Sequence, residues 1–181
     1  MNESNLPGWV ICSLRNKFSI SSFVETGTLH GTTALLASSL IPNVHTIEIY
    51  PPMYEKAMPE VKHNKNIHRY LGSSVEIIPK ILPTLPGPTM FYLDGHWCGF
   101  GERLGKECPV LEELALLSDR QGDVIIIDDA RLFLAPPGPP HRPEEWPTID
   151  EVVAAAKTGN RSVLLWFDSI IVTPAPLVAS L

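Results

Sequence analysis

Residues 22–33 read SFVETGTLHGTT, and this stretch decides the fold. An apolar and β-branched run, 22–26, ends at Gly27, and Gly31 stands directly before a helix-forming run, 32–40. The pattern is a strand, a sharp turn and a helix. Working outward, the same unit recurs. Strands are predicted at 44–50, 67–71, 90–93 and 123–127, with helices at 53–63, 74–82, 109–117 and 149–157. The run Val124-Ile125-Ile126-Ile127 is continuously apolar, as a parallel strand covered on both faces requires. Alternation of this kind predicts an α/β fold: a doubly wound, mostly parallel, seven-stranded sheet with helices on both faces. The last two strands, 162–167 and 170–173, are separated by Asp168-Ser169 alone. That is too short for a crossover, so they form a terminal antiparallel hairpin.

Composition narrows the function. The 181 residues fit one domain, with a helical extension over 1–21. Lys and Arg number 14 against 20 Asp and Glu, a net charge of −6, which argues against nucleic-acid or anionic-membrane partners. Three scattered cysteines, Cys12, Cys98 and Cys108, provide no disulfide framework. No run of about 18 apolar residues is long enough to span a membrane. The N-terminus lacks a basic region followed by an apolar core, and the expected location is cytoplasmic. The apolar positions of 9–18, Trp9 among them, are candidates to cover the sheet or to meet a second copy in a homo-oligomer. Proline is in excess, 18 residues, and six of them fall in 136–147. This makes 131–147 a stiff, lid-like loop.

In an open parallel sheet the ligand sits beyond the carboxyl ends of the strands. Gly27-x-x-x-Gly31 lacks the G-x-G-x-x-G of dinucleotide sites. Glu25 would also set a negative charge near a pyrophosphate. Glu48, ending the second strand, suits the two hydroxyls of a ribose. An adenosine-type ligand with little negative charge, S-adenosyl-L-methionine (SAM), therefore fits better than NAD. Two alternatives stay open: an NAD-dependent oxidoreductase, and a non-catalytic binding subunit.

Glu25-Thr26-Gly27, with Gly31 and then Thr32-Thr33, resembles the first motif of class I SAM-dependent O-methyltransferases of the macrocin, catechol and caffeoyl-CoA types. The resemblance spans roughly residues 22–173. It implies that Glu25, Thr26, Gly27, Gly31 and Thr32 line the methionine end of SAM, that Glu48 holds the ribose, and that Ser73 lies near the adenine.

The fourth and fifth strands end in Asp94 and in Asp128-Asp129, three carboxylates on the same rim as the SAM turn. Such groups repel one another unless a cation intervenes, and oxygen donors suit Mg²⁺ or another hard divalent ion. The resemblance implies the same: metal-dependent members hold the ion with an acid after the fourth strand and a pair after the fifth. The ion would bind and acidify the hydroxyl of a small acceptor, such as a sugar or a secondary metabolite. His96 is a candidate general base beside Asp94. The family places its Lys or His one residue later, where this chain has Trp97, a candidate to stack on the adenine or wall the acceptor pocket. His96, Cys98 and Cys108 also invite a zinc reading, with wrong spacing for a structural finger. The segment 99–106, with three glycines and the charged residues Glu102, Arg103 and Lys106, reads as a flexible polar loop near the site. His141, Arg142 and Trp146 in the proline-rich loop are candidate acceptor contacts.

Overall fold

Apolar residues alternate along five parallel strands, and each set faces its own layer of helices. In a computed structural model, which describes residues 6–99 and 101–174, the strands are β1 (Ser22–Thr26), β2 (Asn43–Glu48), β3 (Ile67–Leu71), β4 (Thr89–Leu93), β5 (Val124–Ile127), β6 (Ser162–Trp166) and β7 (Ser169–Thr173). The sheet order is β3-β2-β1-β4-β5-β7-β6. β1 to β5 run parallel, and β7 pairs antiparallel with both β5 and β6. The expected hairpin of β6 and β7 is therefore present, with β7 seated inside the sheet next to β5 and β6 at the edge.

Phe23, Val44, Met90, Tyr92, Val124 and Ile126 pack on one face against α1 (Gly8–Phe18) and α2 (Thr32–Ser38). Val24, Ile47, Phe91, Leu93, Ile125 and Ile127 pack on the other against α5 (Ser74–Ile81), α6 (Val110–Leu116) and α8 (Ile149–Ala156). This period of two sorts each strand's side chains between the layers.

The expected helix over 53–63 is two pieces, α3 (Pro51–Lys56) and α4 (Pro59–His63). Pro59 has no N–H to continue a helix and bars the preceding residue from helical geometry, so the chain breaks and restarts there. The proline-rich loop contains a short helix, α7 (Arg131–Leu134), and a single 3₁₀ turn at Pro143–Glu145. Thr148 caps α8: its hydroxyl accepts from Glu151 N, and the Glu151 carboxylate accepts from Thr148 N. Among the described residues no helix is long and apolar enough to cross a membrane.

The close approach that positions the site is at Gly27, which has φ +83°. A Cβ there would lie 2.2 Å from the backbone oxygen of Asp94. The turn after β1 thus rests directly on the turn after β4, and Asp94 N in turn donates to Thr26 O at 3.2 Å. Gly27→Ala is expected to cost roughly 2–4 kcal/mol in chemical denaturation, since a strained backbone and a clash with main chain add. A loss below about 0.5 kcal/mol would show that the two turns can move apart freely.

Candidate functional site

The carboxyl ends of β1, β2, β3 and β4 open onto one cavity of about 660 Å³. Thr26, Gly27, Glu48, Ser73, Asp94, His96 and Trp97 lie on its wall. Sequence reasoning named all seven. It missed the part of the far wall that comes from Ile49, Tyr50 and Met53 after β2; the rest, Glu102, Leu104, Gly105 and Lys106, belongs to the 99–106 loop expected near the site.

Glu48 is tied down by its surroundings. Leu29 N donates to Oε2 and Tyr50 N to Oε1, both at 2.9 Å. Leu29 adopts φ +48°, which brings its amide to the carboxylate. Each oxygen keeps a second lone pair for another donor. Both carboxylate oxygens are thus fixed side by side at the cavity wall.

Glu25 does not reach the cavity. It shares the sheet face of Phe23 and is only 2% exposed. Thr46 Oγ1 donates to its Oε2 at 2.6 Å and shares a further 2.6 Å hydrogen bond with Thr28 Oγ1. Burial pushes its carboxyl up to about 8, against the pull of the Thr46 hydrogen bond. Strand alternation explains the placement: Thr26 faces the cavity layer, so Glu25 faces away. Gly31 and Thr32 are likewise absent from the cavity wall. At Gly31, φ +85°, a Cβ would come within 2.6 Å of Val61, so that glycine serves the packing of α4 beneath the turn.

The three acidic residues at the β4 and β5 ends separate into two groups. Asp128 turns into the sheet: Tyr92 Oη donates to its Oδ2 at 2.5 Å and Ser169 Oγ to its Oδ1 at 3.3 Å. Asp129 adopts φ +55°, a left-handed conformation that Asp tolerates, and points the other way. Its Oδ2 lies 2.8 Å from His96 Nε2, and its Oδ1 accepts from Arg131 Nη1 at 2.6 Å. Asp94 Oδ1 is 3.5 Å from the same His96 nitrogen. Asp94, His96 and Asp129 offer ligand atoms all within 4.8 Å of one another. Two carboxylates and an imidazole fit a divalent cation by donor chemistry, whereas the expected set of three carboxylates is not assembled. The difference is one of side-chain direction, since the backbone places all three acids at the rim.

The electrostatics follow this grouping. Hydrogen bonding from His96, then from Arg131, holds Asp129 down at about 2 despite burial. Burial pushes Asp94 up to about 7, partly offset by His96. Burial opposes the His96 imidazolium, but the hydrogen bond to Asp129 and the charges of Asp94 and Asp129 outweigh it and raise the group. Under the cluster, Glu113 of α6 is buried beside Thr26 and Ser74, and burial raises it to about 7.

His141, Arg142 and Trp146 lie off the cavity wall and gather on Glu107 instead. This fully buried carboxylate accepts from Trp146 Nε1 at 3.0 Å, Arg103 Nη1 at 2.8 Å and Arg142 N at 3.1 and 3.2 Å, with His141 Nδ1 at 3.2 Å. Its backbone N–H donates to Glu145 Oε2 and its carbonyl accepts from Trp97 N. The Trp146 ring lies 5.2 Å from His96, and the His141 ring 5.0 Å from Trp97. The proline-rich loop is therefore the outer brace of the β4 loop. Nothing in the local sequence pattern of Glu107 marks it, because its donors come from as far as 39 residues away. Cys108 is buried and Cys98 exposed, and the sole metal-compatible cluster among the described residues omits both.

No family model matches the chain, and no curated protein matches it. Solved structures do. The O-methyltransferase TomG from Streptomyces achromogenes, involved in tomaymycin synthesis and in complex with SAM, superposes with a TM-score of 0.62 at 15% identity, over 91% of this chain and 77% of that one. The fold is that of the class I O-methyltransferases. An O-methyltransferase from Bacillus cereus in complex with S-adenosylhomocysteine (SAH) gives a TM-score of 0.63 at 14% identity, over 95% and 82% of the two chains. The SAH-bound methyltransferase PaMTH1 from Podospora anserina gives 0.60 at 16%, over 94% and 79%. The methyltransferase fold thus accounts for the strand order, including the inserted β7.

Glu107 gives this site an acid limit. Burial would raise its carboxyl, yet the hydrogen bonds from Trp146 and Arg103, with those from Arg142 and His141, hold it at about 2, below its ordinary 4.5. The folded state therefore favours the charged form. The stability this contributes is complete above pH 4.5 and is lost as pH falls from there towards 2. Glu107→Gln is expected to flatten the stability-against-pH slope in that window and to cost on the order of 2–3 kcal/mol at pH 7. Urea denaturation across the pH range checks both. An unchanged slope would contradict the assignment.

Proposed function

We propose that the chain is a SAM-dependent methyltransferase acting on a hydroxyl of a small acceptor, with a divalent cation at the β4–β5 rim. The observation that carries the reading is Glu48. Its two oxygens are fixed by Leu29 N and Tyr50 N at the wall of the cavity, where a vicinal diol can donate to both. The fold shared with SAM- and SAH-bound proteins supports it. The NAD alternative finds no phosphate-cradling glycine pattern at the β1 turn, while Glu25, walled off from the cavity, does not bear on that choice.

Ribose would be held by Glu48, the methionine end would lie over Gly27, and Ser73 would face the adenine. The β4 loop, with Leu104 and Lys106, and Trp97 would shield the sulfonium from water. Transfer of the methyl group is a single in-line displacement, so positioning supplies most of the rate. A cation held by Asp94, His96 and Asp129 would supply Lewis acidity that lowers the pKa of a hydroxyl. Asp94 is a third exposed and lies on the cavity wall, so its carboxylate is the group that would receive the hydroxyl proton. His96 Nε2 is engaged with Asp129 at 2.8 Å, which suits a holding role better than that of a free base. Substrate choice would be set by the β4 loop, with His141, Arg142 and Trp146 bracing it from behind.

The test is transfer of a labelled methyl group from SAM to a panel of phenols, catechols, sugars and polyols in the presence of a divalent ion. Product on at least one hydroxyl acceptor is expected. Asp94→Asn should lower that turnover by on the order of 100-fold or more while SAH affinity stays within about threefold. SAH binding with no transfer across the panel would favour the non-catalytic reading. Separately, Glu48→Gln should weaken SAH by about tenfold in calorimetry, since one charged acceptor for a diol is lost.

A further inference from the structure

The residue that takes the place expected for a third carboxylate is a histidine. Asp128 is 2% exposed and spends both oxygens on Tyr92 and Ser169. His96 is nine-tenths buried and aims Nε2 at Asp129 Oδ2, 2.8 Å away, and Asp94 Oδ1, 3.5 Å away. Three features fix this arrangement. The left-handed turn at Asp129 sends consecutive carboxylates to opposite sides of the chain. Arg131 holds the other Asp129 oxygen. The Trp146 ring backs the imidazole at 5.2 Å and is itself anchored on Glu107.

We infer that the cation seat of this chain is Asp94–His96–Asp129, and that it selects a first-row transition ion such as Mn²⁺, Co²⁺ or Zn²⁺ over Mg²⁺. Mg²⁺ holds oxygen donors and water in a near-ideal octahedron and gains little from an imidazole. Transition ions gain from nitrogen donation, and their affinities for such a set rise along the first row. The ion takes the lone pair of His96 Nε2, so the imidazole binds it in the neutral form, and the proton on that nitrogen leaves to solvent. The Asp94 and Asp129 carboxylates offset the two positive charges. Asp128 keeps its hydrogen bonds and does not ligate.

The inference rests on the proposed reaction only for what the ion does there. Whether the ion binds, and through which residues, is independent of SAM.

Co²⁺ and Mg²⁺ titrations of the purified chain by calorimetry, with the Co²⁺ absorption spectrum recorded alongside, test it. Co²⁺ is expected to bind at least tenfold more tightly than Mg²⁺. His96→Gln and Asp129→Asn should each weaken Co²⁺ at least tenfold, whereas Asp128→Asn should leave it within about threefold. SAH affinity, measured on every variant, reports that the fold persists and separates this result from the cofactor reading. Mn²⁺ bound to the unaltered chain should show nitrogen coupling from a histidine in pulsed electron paramagnetic resonance, a readout that needs no variant. Mg²⁺ binding as tight as Co²⁺, absence of nitrogen coupling, loss of Co²⁺ in Asp128→Asn equal to that in Asp129→Asn, or no ion binding at millimolar concentration would each overturn it.

Discussion

The backbone oxygen of Asp94 occupies the space where a side chain on residue 27 would begin. This one approach locks the turn after β1 to the turn after β4, on the two neighbouring central strands of the sheet. Parallel strands diverge at their carboxyl ends only where the chain leaves in opposite directions, and β1 lies between β2 and β4 at that point. The approach therefore defines the cavity floor. It also fixes where Asp94 begins, and through Gly95 it sets His96 over the β5 end. Glu48, reaching back to Leu29 N, ties the opposite flank of the same turn. Cavity wall and acidic rim are two sides of one constraint.

A second, outer constraint is the Glu107 carboxylate. It joins the β4 loop to the proline-rich loop by charge-assisted hydrogen bonds inside a buried pocket, where such bonds are stronger than in water. The consequence for the site is indirect but physical. Trp97 and Trp146 are both fixed by Glu107, one through its carbonyl and one through its carboxylate, and they flank His141 and His96. Stiffness from the six prolines is thereby passed to the cavity wall. The loop acts as a brace, and the residues facing the cavity belong to the β4 loop that it supports.

Much of the fold was legible because it is written in local pattern. Strand–turn–helix units, the apolar run of β5 and the two-residue link before β7 each carry their geometry in a few adjacent residues. Glu48, Asp94 and Gly27 were legible for the same reason: they stand at strand ends. The failures share a cause as well. The resemblance places Glu25 at the cavity, yet its parity along β1 turns it into the opposite layer. The sequence presents Asp128 and Asp129 as a pair, whereas one left-handed residue divides them. Glu107 gathers donors from residues 103, 141, 142 and 146, a convergence that exists only after the chain has folded. The break at Pro59 and the Thr148–Glu151 cap are different, since both signals lie in the sequence and follow from known proline and capping chemistry.

The central claim is that the cavity at the carboxyl edge of β1, β2 and β4 takes an adenosine-bearing sulfonium ligand. Calorimetric titration of the unaltered chain with SAH and, in parallel, with NAD tests it most directly. The account predicts saturable one-to-one binding of SAH with a dissociation constant in the micromolar range, about −8 kcal/mol, and no measurable binding of NAD at the same concentrations. Binding of NAD with no binding of SAH would contradict it.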